Sequence, residues 1–221
     1  MLIGTTDTDY TGDLDAVEAE ANDVTYLLKE GQRIFPNVRS GDIFYTSAGL
    51  RALARSKSRK PGDVSRSHKL SAKAPCTTAE VPLPGAPIVP QQSLQQAANE
   101  RGLALDTVAH LASLYGSRFS QVLDILNSNP KGAQPLCPHS QDILAQVQHA
   151  VEQEGALTIE DFLLRRSAVG LSSCRGLDTL NSVASEMGRL LGWSYTEQQR
   201  QEDAYRSQAA LGQRFRSAGL A

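Results

Sequence analysis

Residues 177–192, with the sequence LDTLNSVASEMGRLLG, decide the fold class of the C-terminal part of this 221-residue chain. Apolar residues recur at positions 180, 183, 184, 187, 190 and 191, a spacing that places them on one face of an α-helix. Gly192 follows the last of them, and glycine is the usual residue just past a helix C-terminus. The stretch therefore predicts an amphipathic helix that packs its apolar face against a core.

The same spacing recurs through most of the chain after residue 90. It predicts helices over residues 93–99, 104–115, 118–126 and 140–152, a further helix that opens at Thr158, and a polar last helix from Thr196. Thr158 followed by two acids is typical of a helix N-cap. We therefore expect residues 91–221 to form a mainly α-helical C-terminal domain.

The N-terminal part has a different pattern. Residues 2–6 (LIGTT) and 43–46 (IFYT) are β-branched and apolar enough for short strands, and residues 14–35 have helical spacing up to Pro36. Residues 1–70 are thus predicted to be a strand–helix–strand segment, which makes the overall fold class α+β. Prolines at positions 75, 82, 84, 87 and 90 predict a Pro-rich connector over residues 71–90.

Composition excludes several classes of protein. The chain is 40% hydrophobic, which is enough for a packed core, and its net charge is −2 with 5% aromatic residues. A balanced charge and few aromatic residues argue against nucleic-acid binding. No run of 18 apolar residues predicts a membrane-spanning helix, and the N-terminus has no signal-peptide pattern. We expect a cytoplasmic protein.

The sequence shows no stand-alone catalytic or metal-binding motif. The three cysteines, Cys76, Cys137 and Cys174, are odd in number and far apart, which suggests free thiols rather than a disulfide framework or a zinc ribbon. None of the four histidines has a partner at metal-ligand spacing, and no P-loop, GxGxxG, HExxH or GxSxG motif is present. No metal site is expected, and no catalytic residue is assigned.

A basic segment is the strongest candidate for ligand binding. Residues 51–73 contain eight bases and one acid. Arg51 follows the predicted strand end and Arg66 lies fifteen residues later, and a guanidinium group fits phosphate oxygens with two parallel hydrogen bonds. The two arginines could clamp a phosphomonoester, whereas the alternative is a solvated basic loop.

Several short motifs resemble the flavin-dependent glycerol-3-phosphate dehydrogenases. In chain order they are IGTTDT (3–8), YLL (26–28), FP (35–36), SAGLR (47–51), DVSRSH (63–68), LYGS (114–117), EDFLLRRS (160–167) and LGW (191–193). The resemblance implies an oxidoreductase of glycerol metabolism that uses FAD to convert glycerol 3-phosphate to dihydroxyacetone phosphate and passes the electrons to quinone. It further implies that the intact enzyme dimerises and attaches peripherally to the inner face of a membrane.

The resemblance also implies roles for four residues. Arg51 and Arg66 would bind the substrate phosphate, and Thr5 and Thr6 would line the cavity beside it. No cofactor-binding residue can be assigned in this way.

The chain departs from this family in two regions. The glycine-rich loop that grips the FAD pyrophosphate is absent, and the interval between His68 and Pro75 is too short for a second flavin-contacting loop. Ala52 stands where the family has proline. The resemblance is therefore to the C-terminal part of such an enzyme, and we expect the isolated chain to bind no FAD and to be inactive. The alternative is a non-catalytic helical binding or structural module, and a yellow purified protein would support the enzyme over this module.

Overall fold

The computed structural model of the chain describes residues 2–50 and 80–215. These residues belong to two compact units. One contains residues 2–50 and 208–215, and the other contains residues 80–207.

The first unit contains a single α-helix in its N-terminal stretch, α1 (Ala21–Gln32). Helix α1 is preceded by a 3₁₀ turn, Leu14–Ala16, and followed by another, Ser40–Asp42. Its first turn is closed by Asp23, whose carboxylate accepts the backbone N–H of Glu20 at 3.1 Å. The helix predicted over residues 14–35 is present but shorter at both ends.

The two predicted strands are absent from the described part of this unit, because residues 2–6 and 43–46 pair with no neighbouring strand. A strand is stable only when adjacent strands accept and donate its backbone hydrogen bonds. Here the N–H of Thr46 donates instead to the carbonyl of Gly212 at 2.8 Å. In the described ranges the β-pairing is limited to one isolated bridge, between Pro135 and Ile143.

The second unit is helical, as the sequence predicts. Its α-helices are α2 (Gln91–Arg101), α3 (Leu105–Tyr115), α4 (Phe119–Ser128), α5 (Ala145–Glu154), α6 (Leu180–Leu191) and most of α7 (Tyr195–Leu211). A π-helical turn, Asp161–Arg166, and short 3₁₀ turns at Val169–Leu171 and Leu177–Thr179 connect α5 to α6.

The core of this unit lies where the apolar faces of the helices meet. Val108 and Leu111 of α3 pack with Val122 and Leu123 of α4 in one buried cluster. Helix α6 buries the face identified from its spacing and ends at Gly192, whose φ of 70° is the left-handed conformation of a C-cap glycine. The mainly helical character of the C-terminal part is therefore confirmed. None of the helices in the described ranges combines the length and apolar composition that a membrane crossing requires.

Two glycines allow a close backbone approach beside α3. Gly85 (φ 83°) and Gly116 (φ 56°) lie face to face, and the N–H of Ser117 donates to the Gly85 carbonyl at 3.0 Å. A Cβ atom on Gly116 would lie 2.0 Å from that carbonyl oxygen, and one on Gly85 would lie 2.5 Å from the carbonyl oxygen of Tyr115. Neither position can accept a side chain without a backbone shift.

Gly116→Ala should therefore destabilise the helical unit by about 3 kcal/mol or more, because it adds a backbone clash to an unfavourable φ. Urea denaturation followed by far-ultraviolet circular dichroism measures this loss. Gly102→Ala is the matched control, since Gly102 has φ 64° but open space around its would-be Cβ. The control should lose only about 1–2 kcal/mol. Equal losses in the two variants would contradict the steric argument.

Candidate functional site

Two of the four residues assigned to substrate binding lie in the described part of the chain. Thr5 is exposed and Thr6 is half-buried, in an extended segment of the first unit, and the peptide bond that joins Gly4 to Thr5 is cis. Arg51 and Arg66 lie outside the described residues. The proximity of these arginines to the threonines stays a prediction.

The second unit contains a buried polar network that the sequence analysis did not predict. Its centre is Asp142, which has no exposed surface and lies in the turn before α5. Gln146, equally buried on α5, donates from Nε2 to Oδ1 of Asp142 at 2.7 Å and accepts the N–H of Ile143 at 2.7 Å. The Ser140 hydroxyl donates to the second carboxylate oxygen. A buried carboxylate is tolerated only when its oxygens are partnered in this way, so the network fixes the turn.

The same network reaches α3 through two side chains. The phenol oxygen of Tyr115 lies 3.4 Å from Nε2 of Gln146, and Nε2 of His110 lies 3.2 Å from Oδ1 of Asp142. Burial raises the pKa of Tyr115 well above its ordinary value, so this phenol stays protonated at neutral pH. It cannot serve as a general base there, and its hydroxyl points instead to the carbonyl of Arg166 at 3.5 Å.

The motif at residues 160–167 has a structural role. Asp161 accepts the backbone N–H groups of Leu157 at 3.1 Å and Thr158 at 2.9 Å, while the Thr158 hydroxyl oxygen accepts the N–H of Asp161 at 3.1 Å. The expected N-cap at Thr158 is thereby confirmed. Burial alone would raise the pKa of Asp161, but these hydrogen bonds and the nearby Arg165 guanidinium lower it.

An open cleft of about 400 Å³ lies at the surface of the second unit. Its walls come from the turn before α5 and from the segment that precedes α6. Residues that line it include His110, His139, Ser140, Gln141, Leu171 and Ser172. It therefore borders the buried network on one side.

The described residues do not fit FAD. A dinucleotide is held by a strand, a glycine-rich loop and the N-terminus of the following helix within a parallel sheet. No sheet is formed in the described ranges, and their isolated bridge at Pro135 is not followed by such a loop.

The comparison with known protein families decides the assignment. The family described as the C-terminal domain of alpha-glycerophosphate oxidase matches residues 76–198, more than half of the chain. The chain belongs to this family. The matched range includes the LYGS and EDFLLRRS motifs, so the resemblance inferred from them is confirmed.

Curated relatives match a longer part of the chain. A glycerol-3-phosphate dehydrogenase from Synechocystis sp. is 29% identical over an alignment that covers 92% of this chain and 44% of the relative. Glycerol-3-phosphate dehydrogenase 2 from Mycobacterium tuberculosis is 27% identical, with 92% of this chain and 41% of the relative covered. The chain thus spans less than half the length of these relatives.

A solved structure has the same fold. The glycerol-3-phosphate dehydrogenase from Bacillus halodurans, solved in complex with FAD, superposes on 95% of this chain with a TM-score of 0.70. The match covers 48% of that protein, at 24% sequence identity. The arrangement of elements described above is therefore a fold that occurs in solved proteins.

His149 makes the stability of the helical unit depend on pH. Its ring packs edge-on against Tyr115 at a centroid distance of 5.2 Å, and burial lowers its pKa. The unfolded chain, in which histidine has a pKa of about 6.5, then binds the proton more readily than the folded chain. The free energy of unfolding should therefore be highest above about pH 6.5. It should fall as the pH is lowered towards the pKa of His149 in the folded chain.

Urea denaturation of the wild type and His149→Gln at a series of pH values, with a metal chelator present, measures this dependence. The variant should have a flatter stability profile below about pH 6.5, whatever its absolute stability. Gln148→Ala is the control, because it changes the position next to His149 on α5 without removing a titratable group, and it should keep the wild-type slope. An unchanged slope in His149→Gln would show that another group carries the pH dependence.

Proposed function

We propose that this chain is the C-terminal part of a FAD-dependent glycerol-3-phosphate dehydrogenase, which oxidises glycerol 3-phosphate to dihydroxyacetone phosphate and passes the electrons to quinone. The observation that carries the proposal is the match of curated glycerol-3-phosphate dehydrogenases to 92% of the chain. The alignment with these dehydrogenases extends beyond residues 76–198, the range that the C-terminal-domain family matches. It therefore includes part of the region that contains the substrate-binding candidates.

We further propose that the chain lacks an internal segment found in its relatives. The Synechocystis alignment has 247 positions, whereas 92% of 221 residues is about 203, so about 44 positions have no residue in this chain. This supports an internal deletion, which we place beside residues 68–75. In this scheme residues 1–70 are a partial substrate-binding segment, residues 71–90 a connector and residues 91–221 the helical domain.

Within this proposal, the residues of this chain bind and orient the substrate. Arg51 and Arg66 hold the phosphate by charge-assisted hydrogen bonds, and Thr5 and Thr6 border the carbon skeleton. In the intact enzyme FAD would supply the hydride-accepting chemistry, while the residues of this chain would bind and orient the substrate. We place the FAD-binding residues outside the described residues, and we expect the isolated chain to bind no flavin and to turn over no substrate. The resemblance is also our reason to propose a cytoplasmic homodimer at the inner face of the membrane.

Glycerol 3-phosphate should raise the melting temperature of the wild-type chain if the phosphate clamp forms. Binding at a hundredfold excess over Kd adds about 2.7 kcal/mol of stability, which is a shift of a few degrees. Arg51→Ala should abolish the shift, because it removes half of the clamp. Differential scanning fluorimetry with glycerol as a phosphate-free ligand measures the effect.

Arg55→Ala is the matched control for that experiment. It removes the same charge from the same basic segment but lies outside the SAGLR and DVSRSH motifs, and it should keep the shift. A shift that is lost equally in both variants would indicate attraction by the basic segment as a whole rather than a clamp.

Complementation tests whether the chain is part of an enzyme. We expect the chain, co-expressed with the part of the Synechocystis dehydrogenase that precedes the matched region, to yield a yellow complex that reduces a quinone analogue when glycerol 3-phosphate is added. Arg51→Ala should lose this reduction and keep the colour. A colourless chain that neither co-purifies with the flavin-binding part nor responds to glycerol 3-phosphate would instead support a helical binding or structural module.

A further inference from the structure

Three potential metal ligands from separate segments meet at the surface of the helical unit. They are Nε2 or Nδ1 of His139, Sγ of Cys174 and a carboxylate oxygen of Asp178, and these atoms lie within 4.8 Å of one another. His139 Nε2 lies 3.5 Å from Asp178 Oδ2. His139 precedes Cys174 by 35 residues and Asp178 by 39, so local sequence spacing does not reveal the cluster.

The distances fit a tetrahedral metal ion. Zn²⁺ binds nitrogen and oxygen at about 2.0–2.2 Å and sulfur at about 2.3 Å, which places tetrahedral ligand atoms about 3.4–3.8 Å apart. The separation between His139 and Asp178 already has this value. The remaining ligand atoms need to move by no more than about 1 Å, which rotation of half-exposed side chains can supply.

A fourth donor lies beside the cluster. Cys137 precedes His139 by two residues and is buried, with 4% of its surface exposed. The thiol of Cys174 and the backbone of His139 are among the groups that act on the pKa of its thiol. Cys137 is therefore a neighbour of the cluster, although its sulfur is not one of the three atoms that lie within 4.8 Å of one another.

The backbone around Cys174 positions its side chain and that of Asp178. The carbonyl of Cys174 accepts the N–H of Leu177 at 2.9 Å, which closes a turn between the two ligands. Arg175 and Gly176 in this turn have φ values of 55° and 74°, and the Tyr205 hydroxyl donates to the Arg175 carbonyl at 2.6 Å. The turn is therefore anchored to α7, and the two ligands project from it towards His139.

The sulfur of Cys174 has a further polar neighbour. The hydroxyl oxygen of Ser172 lies 3.2 Å from it, and the same hydroxyl lies 2.6 Å from the carbonyl of Val169. Hydrogen-bonded neighbours of this kind hold metal ligands in their binding orientation.

We propose that His139, Cys174, Asp178 and Cys137 bind one Zn²⁺ ion. Two thiolates, one imidazole and one carboxylate are a ligand set that zinc accepts in tetrahedral sites, whereas Mg²⁺ and Ca²⁺ require oxygen ligands. Each thiol loses its proton to solvent as its sulfur–zinc bond forms, so no oxidant or reductant is involved. The four ligands are all protein side chains, so the site is structural rather than catalytic.

The ion would join the loop before α5 to the segment before α6. These two segments form the walls of the open cleft. In the described residues, neither segment contains regular secondary structure longer than a short 3₁₀ turn. Metal binding to such segments contributes directly to folding stability. This inference is independent of glycerol 3-phosphate binding by the first unit.

Titration of the full chain with Co²⁺, after reduction and removal of metal, tests the proposal. One equivalent should produce a thiolate-to-cobalt charge-transfer band and the visible bands of tetrahedral Co²⁺, and Zn²⁺ should displace it. Cys174→Ser should bind at least about 100-fold more weakly, because a ligand loss exceeds the effect of losing an outer neighbour. One equivalent of Zn²⁺ should also raise the melting temperature of the wild type.

Cys76→Ser is the matched control, since it removes the third cysteine of the chain and should leave both signals unchanged. Asp178→Asn and His139→Gln alter half-exposed side chains, so they should fold even if Cys174→Ser does not. Both variants should also bind Co²⁺ more weakly than the wild type. Equal Co²⁺ spectra in the wild type and these variants would overturn the proposal. So would the absence of a thiolate-to-cobalt charge-transfer band in the reduced wild-type chain.

Discussion

The burial of the Asp142 carboxylate is the constraint on which the helical unit depends. A carboxyl group without exposed surface must have its oxygens partnered, and its hydrogen bonds come from the turn itself and from α5, while His110 of α3 lies 3.2 Å away. Satisfying that one carboxylate therefore fixes how the turn before α5 lies on its neighbours. The turn in turn carries Cys137 and His139, and it forms one wall of the cleft.

The motifs that identify the family are explained by packing and capping rather than by substrate chemistry. Gly116 of LYGS has no room for a side chain against Gly85, and Tyr115 beside it belongs to the buried network. Asp161 of EDFLLRRS closes the start of a helical turn. These residues stabilise the fold of the C-terminal domain. They therefore identify the family but indicate no catalytic residue. Thr5 and Thr6, the substrate-binding candidates among the described residues, lie in the other unit.

The chain combines a helical unit that has a buried apolar core with an N-terminal unit that has one α-helix in its first stretch. Hydrogen bonds and apolar contacts in the helical unit are supplied from within that unit. In the N-terminal unit, the segments with strand-like sequences have no sheet to join among the described residues. The curated relatives are more than twice as long as this chain.

The sequence by itself determined the helices of the C-terminal part, because the 3.6-residue period and the caps at Thr158 and Gly192 are local properties of the chain. It also determined the family, through short motifs in a fixed order. Only the tertiary structure decided that residues 2–6 and 43–46 do not form strands, since a strand needs a hydrogen-bonded neighbouring strand. It alone brought Asp142 to Gln146 and Tyr115, and His139 to Cys174 and Asp178. Such contacts join residues that are distant along the chain, and no local pattern of residue types encodes their distance in space.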